Sequence, residues 1–169
     1  TGVQCVPGNP GNGQSAGRLW SECERVGWPV MIKATAGGGG KGMRQVTSLD
    51  ALPALLVTAR REAEASFGDG RLLIEKLIAR PRHIEVQILG DKHGHLIHLF
   101  ERDCSVQRNN QKLLEEAPAP DLSNATRDAL QRHAVQLAAA IGYDSVGTVE
   151  FSVDAAREES FLLELNRLL

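Results

Sequence analysis

The fold of this chain is decided by residues 30–46, which read VMIKATAGGGGKGMRQV. An apolar run leads to Lys33, five glycines occupy the six positions 37–42, and an alternating apolar and polar run then resumes. This pattern predicts two strands joined by a glycine hairpin. Because glycine lets the main chain approach a ligand closely, the N–H groups of the hairpin can surround an anion. With Lys33 and Lys41 adding positive charge, the stretch predicts a polyphosphate site.

A flexible linker is the alternative interpretation of the glycine run, since such runs are common in linkers. Linkers are polar and structureless, whereas the flanks of this run are apolar and β-prone. The spacing matches neither the P-loop pattern GxxxxGK[ST] nor the dinucleotide-binding pattern GxGxxG. We therefore expect the hairpin to lie over the phosphates as a lid.

Length and composition limit the class of protein. The chain has 169 residues, 42% of them hydrophobic, and a formal net charge of −2. These values suit one globular domain or two small lobes and argue against a nucleic-acid or membrane partner. No apolar run approaches the roughly 20 residues of a membrane span, and the N-terminus does not resemble a signal peptide. Cys5, Cys23 and Cys104 fit neither a disulfide framework nor a zinc pattern, so we expect buried structural thiols in a reducing compartment.

Apolar periodicity predicts a series of helices and strands. Helices are expected over residues 16–26, 49–66 and 123–141, the first and last with Ser15 and Ser123 as N-caps. Strands are expected over residues 30–33, 72–78, 83–90, 95–100, 146–153 and 161–165. The polar stretch 101–120 is long for a structureless connection, so we expect a functional loop there.

These elements predict an α+β fold with two lobes. Residues 1–26 would form a connecting segment, residues 27–78 a glycine-loop lid lobe, and residues 79–169 a second lobe built on an antiparallel sheet. Because ligand sites favour lobe junctions, we expect a nucleotide cleft between the lobes.

Two carboxylates on predicted core strands, Glu150 and Glu164, indicate a metal site. Each is flanked by apolar residues, and antiparallel neighbouring strands would bring both to one face. Mg²⁺ typically uses one or two carboxylates plus substrate phosphates, and Asn166 falls on the same face as Glu164. The alternative interpretation is a pair of salt-bridged or solvent-facing strand acids.

Three other positions are candidate ligand contacts. Glu75 interrupts an apolar strand, where a carboxylate is costly without a partner, and the end of this strand can offer groups to an adenine. His83 lies at the lobe connection, where a lone histidine is usually structural. The tip of the stretch 101–112 suits either an oxyanion or phosphate clamp or a solvated loop.

The chain resembles the ATP-grasp core of the biotin carboxylase family, which comprises the biotin-carboxylating domains or subunits of acyl-CoA, pyruvate and urea carboxylases. The acyl-CoA type is the most similar. The matching segments span nearly the whole chain in the family's order: PVMIKATAGGGGKGM at 29–43, IEK at 74–76, PRHIEVQ at 81–87, ERDCSVQR at 101–108, QK at 111–112, EEAP at 115–118, GTVEF at 147–151 and ELN at 164–166. The run that begins with ERDCS is much more specific than a glycine loop. The resemblance implies a ligase with the ATP-grasp fold.

The resemblance also implies a role for each matched residue. The residues that would contact ATP are Lys33, Gly37, Gly38, Gly39, Gly40, Lys41, Gly42, Met43, Glu75, Lys76, Ile78, His83, Gln107 and Asn110. The residues that would bind Mg²⁺ or Mn²⁺ are Glu150, Glu164 and Asn166. The residues that would act in catalysis are Lys112, Asn166 and Arg167.

The family reaction joins bicarbonate to the γ-phosphoryl group of ATP, and the resulting carboxyphosphate carboxylates a ureido nitrogen of biotin. The resemblance therefore implies ATP, a divalent metal and biotin, with bicarbonate as a further partner. It also implies a biotin carboxyl carrier domain, a carboxyltransferase domain or subunit, and a homo-oligomeric full-length form. The bacterial cytoplasm or the mitochondrial matrix would be the location.

Departures from the family pattern lie near the end of the chain. Many members have histidine where this chain has Asn110, although others have asparagine. The family usually continues as E-x-N-[TA]-R-x-Q-V-E-H, whereas Arg167 here follows Asn166 directly. We expect a fragment with a truncated second lobe that keeps weak Mg-ATP affinity but does not turn over. The alternatives are another ATP-grasp carboxylate or amine ligase, or a non-catalytic nucleotide-binding or structural remnant.

Overall fold

The computed structural model describes residues 2–9, 11, 13–38, 42–154 and 156–168. The chain divides into two compact units. Residues 6–77 form one, here called the hairpin unit, and residues 1–5 with 78–169 form the other, here called the sheet unit. Among the described helices, none has the length and apolar character needed to cross a membrane.

The hairpin unit contains a small antiparallel sheet and two helices. Its elements are α1 (Ala16–Val26), β1 (Val30–Ala34), β2 (Arg44–Val46), a 3₁₀ turn (Leu49–Ala51), α2 (Leu52–Phe67) and β3 (Leu72–Lys76). The strand order is β2-β1-β3. β1 and β2 pair with Val30 opposite Val46 and Ile32 opposite Arg44, so the predicted hairpin is confirmed. Its tip at residues 39–41 lies outside the described residues.

Local signals begin and end the helices of the hairpin unit. The side chain of Ser15 accepts a hydrogen bond from the N–H of Arg18, which confirms the predicted N-cap of α1. Gly68 ends α2 with a φ of 68°, a left-handed conformation that favours glycine. Leu19 and Cys23 of α1, which sequence reasoning placed in a connecting segment, are buried in the core of this unit.

The N-terminal part of the hairpin unit runs along the free edge of β3. The N–H of Ile74 donates to Asn9 Oδ1 at 2.9 Å, and the N–H of Leu72 donates to Gln14 Oε1 at 2.8 Å. Gln14 Nε2 donates in return to the Leu72 carbonyl at 2.9 Å. The main chain pairs here as well, since the N–H of Asn9 donates to the Ile74 carbonyl at 2.9 Å and the N–H of Lys76 donates to the Pro7 carbonyl at 2.8 Å. Main-chain groups and side-chain amides together supply the hydrogen bonds that a fourth strand would otherwise give.

The sheet unit is a five-stranded antiparallel sheet with one helix. Its elements are β4 (Pro81–Gly90), β5 (Leu96–Arg108), β6 (Gln111–Glu116), α3 (Asn124–Ala140), β7 (Val146–Asp154) and β8 (Glu159–Arg167). The strand order is β6-β5-β4-β7-β8. Ser123 caps α3 as predicted, accepting from the N–H of Thr126. The apolar core between the helix and the sheet includes Ile84, Val86, Leu130, Val149 and Phe151.

The prediction of a long loop over residues 101–120 is wrong. β5 continues to Arg108, and β6 follows over Gln111–Glu116. Asn109 and Asn110 make the two-residue turn with φ values of 51° and 63°, which asparagine tolerates. The alternation was hidden because a charged residue takes a buried position of β5: Glu101 faces α3 and accepts hydrogen bonds from its side chains.

Candidate functional site

One face of the five-stranded sheet is polar. It carries alternate residues of β4 and β7 together with two residues of β8, because directly paired residues share a face. These polar residues are His83, Glu85, Gln87, Thr148, Glu150, Ser152, Glu164 and Asn166. Glu85 lies opposite Glu150, which lies opposite Glu164, so three neighbouring strands present a row of carboxylates.

Glu85 is the fully buried centre of a charge network on this face. Its carboxylate accepts hydrogen bonds from Arg102 and from Lys112. Lys112 Nζ also donates to Glu150 Oε1 at 2.6 Å, and Arg102 pairs with Glu115 at 2.7 Å. Burial alone would lower the pKa of Lys112, but its hydrogen bonds to Glu150 and Glu85 raise it above the ordinary value. Lys112 therefore stays protonated and acts as a fixed positive charge.

Glu150 has partners at both carboxylate oxygens. Oε1 accepts from Lys112 and from Asn166 Nδ2, the latter at 3.0 Å, and Oε2 lies 2.8 Å from His83 Nε2. Burial alone would raise the pKa of Glu150, but its contacts with His83 and Lys112 lower it to about 2. The carboxylate is thus ionised at neutral pH.

Asn166 links the two acids that the sequence singles out. Its single amide nitrogen donates to Glu150 Oε1 and, at 2.9 Å, to Glu164 Oε1. β7 and β8 are antiparallel neighbours, and a bulge follows the Glu150–Glu164 pair. The two carboxylates therefore lie on one face of the sheet and share one hydrogen-bond donor.

The charge and chemistry of this cluster fit a divalent cation. Among the described residues, the four carboxylates of Glu85, Glu115, Glu150 and Glu164 have two permanent cations as partners, Lys112 and Arg102. Carboxylate and amide oxygens are the ligands that Mg²⁺ and Mn²⁺ prefer. Lys112 contacts Glu85 and Glu150, and Arg102 contacts Glu85 and Glu115, so neither of these two cations contacts Glu164 in the described part of the chain.

A second group of potential ligands does not fit a cation. Glu85, Cys104 and Glu115 have ligand atoms within 4.8 Å of one another. Glu85 and Glu115 are already paired with Arg102. Burial raises the pKa of the Cys104 thiol to about 12, so it stays protonated and is a poor ligand.

His83 is oriented by residues of β5. Gln107 Nε2 donates to His83 Nδ1 at 2.8 Å and to the Cys104 carbonyl at 2.7 Å. Gln107 thus fixes the orientation of the imidazole ring through Nδ1. Nε2 faces Glu150 at a short distance but outside hydrogen-bond geometry. The ring of His83 is therefore held between Gln107 and Glu150.

The hairpin unit carries a separate set of predicted contacts. Lys33 forms an ion pair with Glu75. Lys76 Nζ donates to the carbonyls of Gly27 at 2.9 Å and Trp28 at 2.7 Å, so its ammonium group is bound just beyond the end of α1. The ammonium group of Lys76 is therefore bound by main-chain carbonyls of its own unit.

The remaining predicted residues are distributed as follows. Gly42 follows the tip of the glycine hairpin with a φ of 72°, and Gly38 has open space where a Cβ would lie. Asn110 is in the β5–β6 turn, and Arg167 ends β8 with its guanidinium 3.5 Å from Asp144. The positions Gly39, Gly40 and Lys41 lie outside the described residues.

Thiol burial gives a first testable prediction. Burial raises the pKa of Cys23 to about 11 and that of Cys104 to about 12, whereas Cys5 is exposed. Since only the thiolate is nucleophilic, iodoacetamide at pH 8 should alkylate Cys5 and leave the other two unmodified. Mass spectrometry of peptides measures this, with urea-unfolded chain as the control in which all three react. Rapid alkylation of Cys104 in the folded chain would contradict its burial.

A second prediction concerns acid stability. The folded pKa of Glu150 is lowered from 4.5 to about 2, so its ionised form stabilises the fold above pH 4.5. That contribution is lost as the pH falls towards 2. The urea midpoint of the wild-type chain should therefore fall more steeply between pH 5 and pH 3 than that of Glu150→Gln, measured in EDTA. If the urea midpoints of the two chains fall equally with pH, the lowered pKa of Glu150 is contradicted.

Comparison with known proteins decides the family. The family model described as "Carbamoyl-phosphate synthase L chain, ATP binding domain" matches residues 1–169. The chain belongs to that family. The methylcrotonoyl-CoA carboxylase subunit alpha, mitochondrial, of Arabidopsis thaliana is 52% identical to this ATP-binding domain over 168 residues, which cover 99% of this chain and 23% of the relative.

Solved structures extend the comparison. The biotin carboxylase of Campylobacter jejuni, solved as a beta-gamma-ATP complex, matches with a TM-score of 0.94 and 45% identity over 99% of this chain and 37% of its own. A second match is the biotin carboxylase domain dimer of the 2-oxoglutarate carboxylase of Hydrogenobacter thermophilus, solved with MgADP, ADP and bicarbonate. Its TM-score is 0.92 and its sequence identity 43%, over 99% of this chain and 37% of its own. The resemblance to biotin carboxylases and the α+β ATP-grasp fold are confirmed. The chain spans less than two fifths of each of these three relatives.

Sequence reasoning missed two central residues of this ATP-binding domain. Glu85 lies within the matched segment 81–87 but was given no role, and neither was Arg102. A signal was present, because His83, Glu85 and Gln87 alternate with three apolar residues. That alternation marks a strand with one polar face.

Proposed function

We propose that this ATP-binding domain serves the ATP- and bicarbonate-dependent carboxylation of biotin, as the biotin carboxylase part of an acyl-CoA or related carboxylase. The observation that carries the proposal is the Glu85–Glu150–Glu164 row with Lys112 bridging two of its acids. A relative with this fold was solved with MgADP and bicarbonate, ligands of the chemistry that such a cluster would take.

The metal site of the proposal is made by Glu150, Glu164 and Asn166, which would hold Mg²⁺ or Mn²⁺. When bound, the metal would neutralise charge on the phosphates of ATP. Asn166 now directs its amide nitrogen at both acids. Rotating that amide by half a turn would present Oδ1 to the cation instead, at little steric cost.

The other residues bind and orient the substrates. The glycine hairpin and Lys33 would hold the phosphates, and the backbone at Glu75, Lys76 and Ile78 would meet the adenine. His83, oriented by Gln107, would meet the ribose, with Asn110 near the nucleotide and Arg167 near the reacting groups. Closure of the hairpin would exclude water from carboxyphosphate, a labile intermediate.

Lys112 would bind the anionic substrate rather than remove a proton. Its ammonium donates to Glu85 and Glu150, and these contacts keep it charged. One of its three N–H groups remains for bicarbonate or a phosphate oxygen. A fixed cation at this place would stabilise charge that develops during phosphoryl transfer.

The proposed partners are a biotin carboxyl carrier domain and a carboxyltransferase domain or subunit, with a homo-oligomeric whole protein. The proposed location is the mitochondrial matrix or the bacterial cytoplasm. The name of the Arabidopsis relative places that protein in mitochondria.

A hybrid enzyme tests the proposal. The aligned residues of the Campylobacter biotin carboxylase would be replaced by residues 2–166 of this chain, and ATP cleavage measured with bicarbonate and free biotin. We expect ATP cleavage by the hybrid that requires both bicarbonate and free biotin. Cleavage indifferent to biotin would favour another ATP-grasp ligase, and loss of metal-dependent nucleotide binding would favour a non-catalytic remnant. The same assay on the 169-residue chain tests the prediction that it binds Mg-ATP weakly without turnover.

A further inference from the structure

The ion pair between Lys33 and Glu75 lies on one face of the small sheet of the hairpin unit. Lys33 is opposite Leu73 and Glu75 is opposite Met31, so the two charged residues are diagonal neighbours on adjacent strands. Their side chains are only 24% and 17% exposed. The other face of the same strands carries apolar residues that are fully buried.

The position of Glu75 is fixed by the segment that precedes α1. Gly8 forms an isolated bridge with Glu75, and a Cβ built on Gly8 would lie 2.9 Å from Glu75 Cγ and 2.6 Å from the Ile74 carbonyl. The glycine backbone therefore packs directly against the stem of the glutamate. Among the described residues, the carboxylate and the ammonium have each other as their only charged partner.

We propose that the side chain of Glu75 is a built-in competitor for the ammonium of Lys33, which it neutralises until a polyphosphate replaces it. The inference rests on the proposed function, in which Lys33 contacts the phosphates of ATP. The carboxylate is singly charged, and a triphosphate presents several charges and many acceptor oxygens to the same three N–H groups. The pair thus reduces the affinity of Lys33 for weakly charged anions and yields to a polyphosphate.

This role differs from a contact with adenine. A side chain that bound the base would weaken binding of ATP and of adenosine alike when it was replaced. A competitor affects only ligands that carry phosphates, and its removal strengthens their binding. Adenosine therefore separates the two roles, since it has the base and the ribose without the charge.

The test uses the full chain and three variants: Glu75→Gln, Glu75→Asp and, as a matched control, Glu24→Gln on the exposed face of α1. Calorimetry with Mg-ATP should show about two- to fivefold tighter binding for E75Q, the range expected for loss of a partly exposed ion pair. The carboxylate of E75D reaches less far towards Lys33, so the affinity of this variant for Mg-ATP should lie between those of the wild type and E75Q. Affinity for adenosine should not change, and E24Q should match the wild type for both ligands.

A second measurement reports on the lysine itself. Reductive methylation of Lys33, followed by mass spectrometry, should be faster in E75Q than in the wild type and should be slowed in both by inorganic tripolyphosphate. If E75Q binds Mg-ATP no tighter than the wild type, the competitor role is wrong. If the wild type does not bind Mg-ATP while tripolyphosphate still protects Lys33, the proposed function fails and the competitor role stands.

Discussion

Replacing Glu150 with glutamine will weaken metal-dependent binding of ATP by about 100-fold, the upper part of the range found when metal sites lose supporting groups. Glu150 is the acid that contacts Lys112, His83 and Asn166 at once. Glutamine keeps the shape of the side chain but removes its charge. A divalent cation would therefore lose a charged ligand and half of the negative charge that Glu150 and Glu164 provide together.

The measurement for Glu150→Gln is calorimetric titration with ATP in Mg²⁺ and again in EDTA. The matched control is Glu159→Gln, because Glu159 is exposed at the start of β8, on the same strand as Glu164. Circular dichroism checks that each variant folds. Equal Mg-ATP affinity for E150Q and the wild type would show that the metal site lies elsewhere.

Replacing Arg127 with methionine will lower the free energy of unfolding of the sheet unit by about 3–5 kcal/mol. The carboxylate of Glu101 is fully buried and accepts from Arg127 Nε at 2.8 Å and from Gln131 Nε2 at 2.8 Å. Methionine fills the space of the arginine stem but leaves a buried carboxylate without its counter-charge. It also removes the hydrogen bond to the Ala119 carbonyl.

Urea unfolding measures the effect of Arg127→Met, with Arg132→Met as the control at an exposed position of the same helix. The double variant Glu101→Met/Arg127→Met should recover most of the loss, because it removes the unpaired charge. A double variant as unstable as R127M would mean that packing of the arginine stem, and not the buried charge, sets the cost.

The parts of the fold that the sequence predicts correctly are those with local signals. Ser15 and Ser123 are N-caps in both the prediction and the structure. The glycine hairpin was predicted because its flanks are apolar and β-prone. Glu150 and Glu164 were expected on neighbouring strands, and the structure places them directly opposite each other.

The parts that the sequence does not predict depend on contacts between distant residues. β5 and β6 extend over residues whose composition is typical of a charged loop. The buried Glu101 is stable within β5 because α3 supplies Arg127 and Gln131 as its partners. Lys76 was matched to the nucleotide, but its ammonium binds two carbonyls beyond α1. The roles of these side chains are decided by partners more than 20 positions away, which periodicity cannot show.

The amides of Asn9 and Gln14 along the edge of β3 have a consequence for how the chain tolerates shortening. Without these amides and the main chain of Pro7 and Asn9, β3 would present a row of unsatisfied main-chain donors and acceptors, which is the template that a strand from another molecule needs. The segment before α1 therefore protects this edge from pairing with a second molecule. A version trimmed past Gln14 would tend to polymerise through that edge even though it kept every apolar core residue of the hairpin unit.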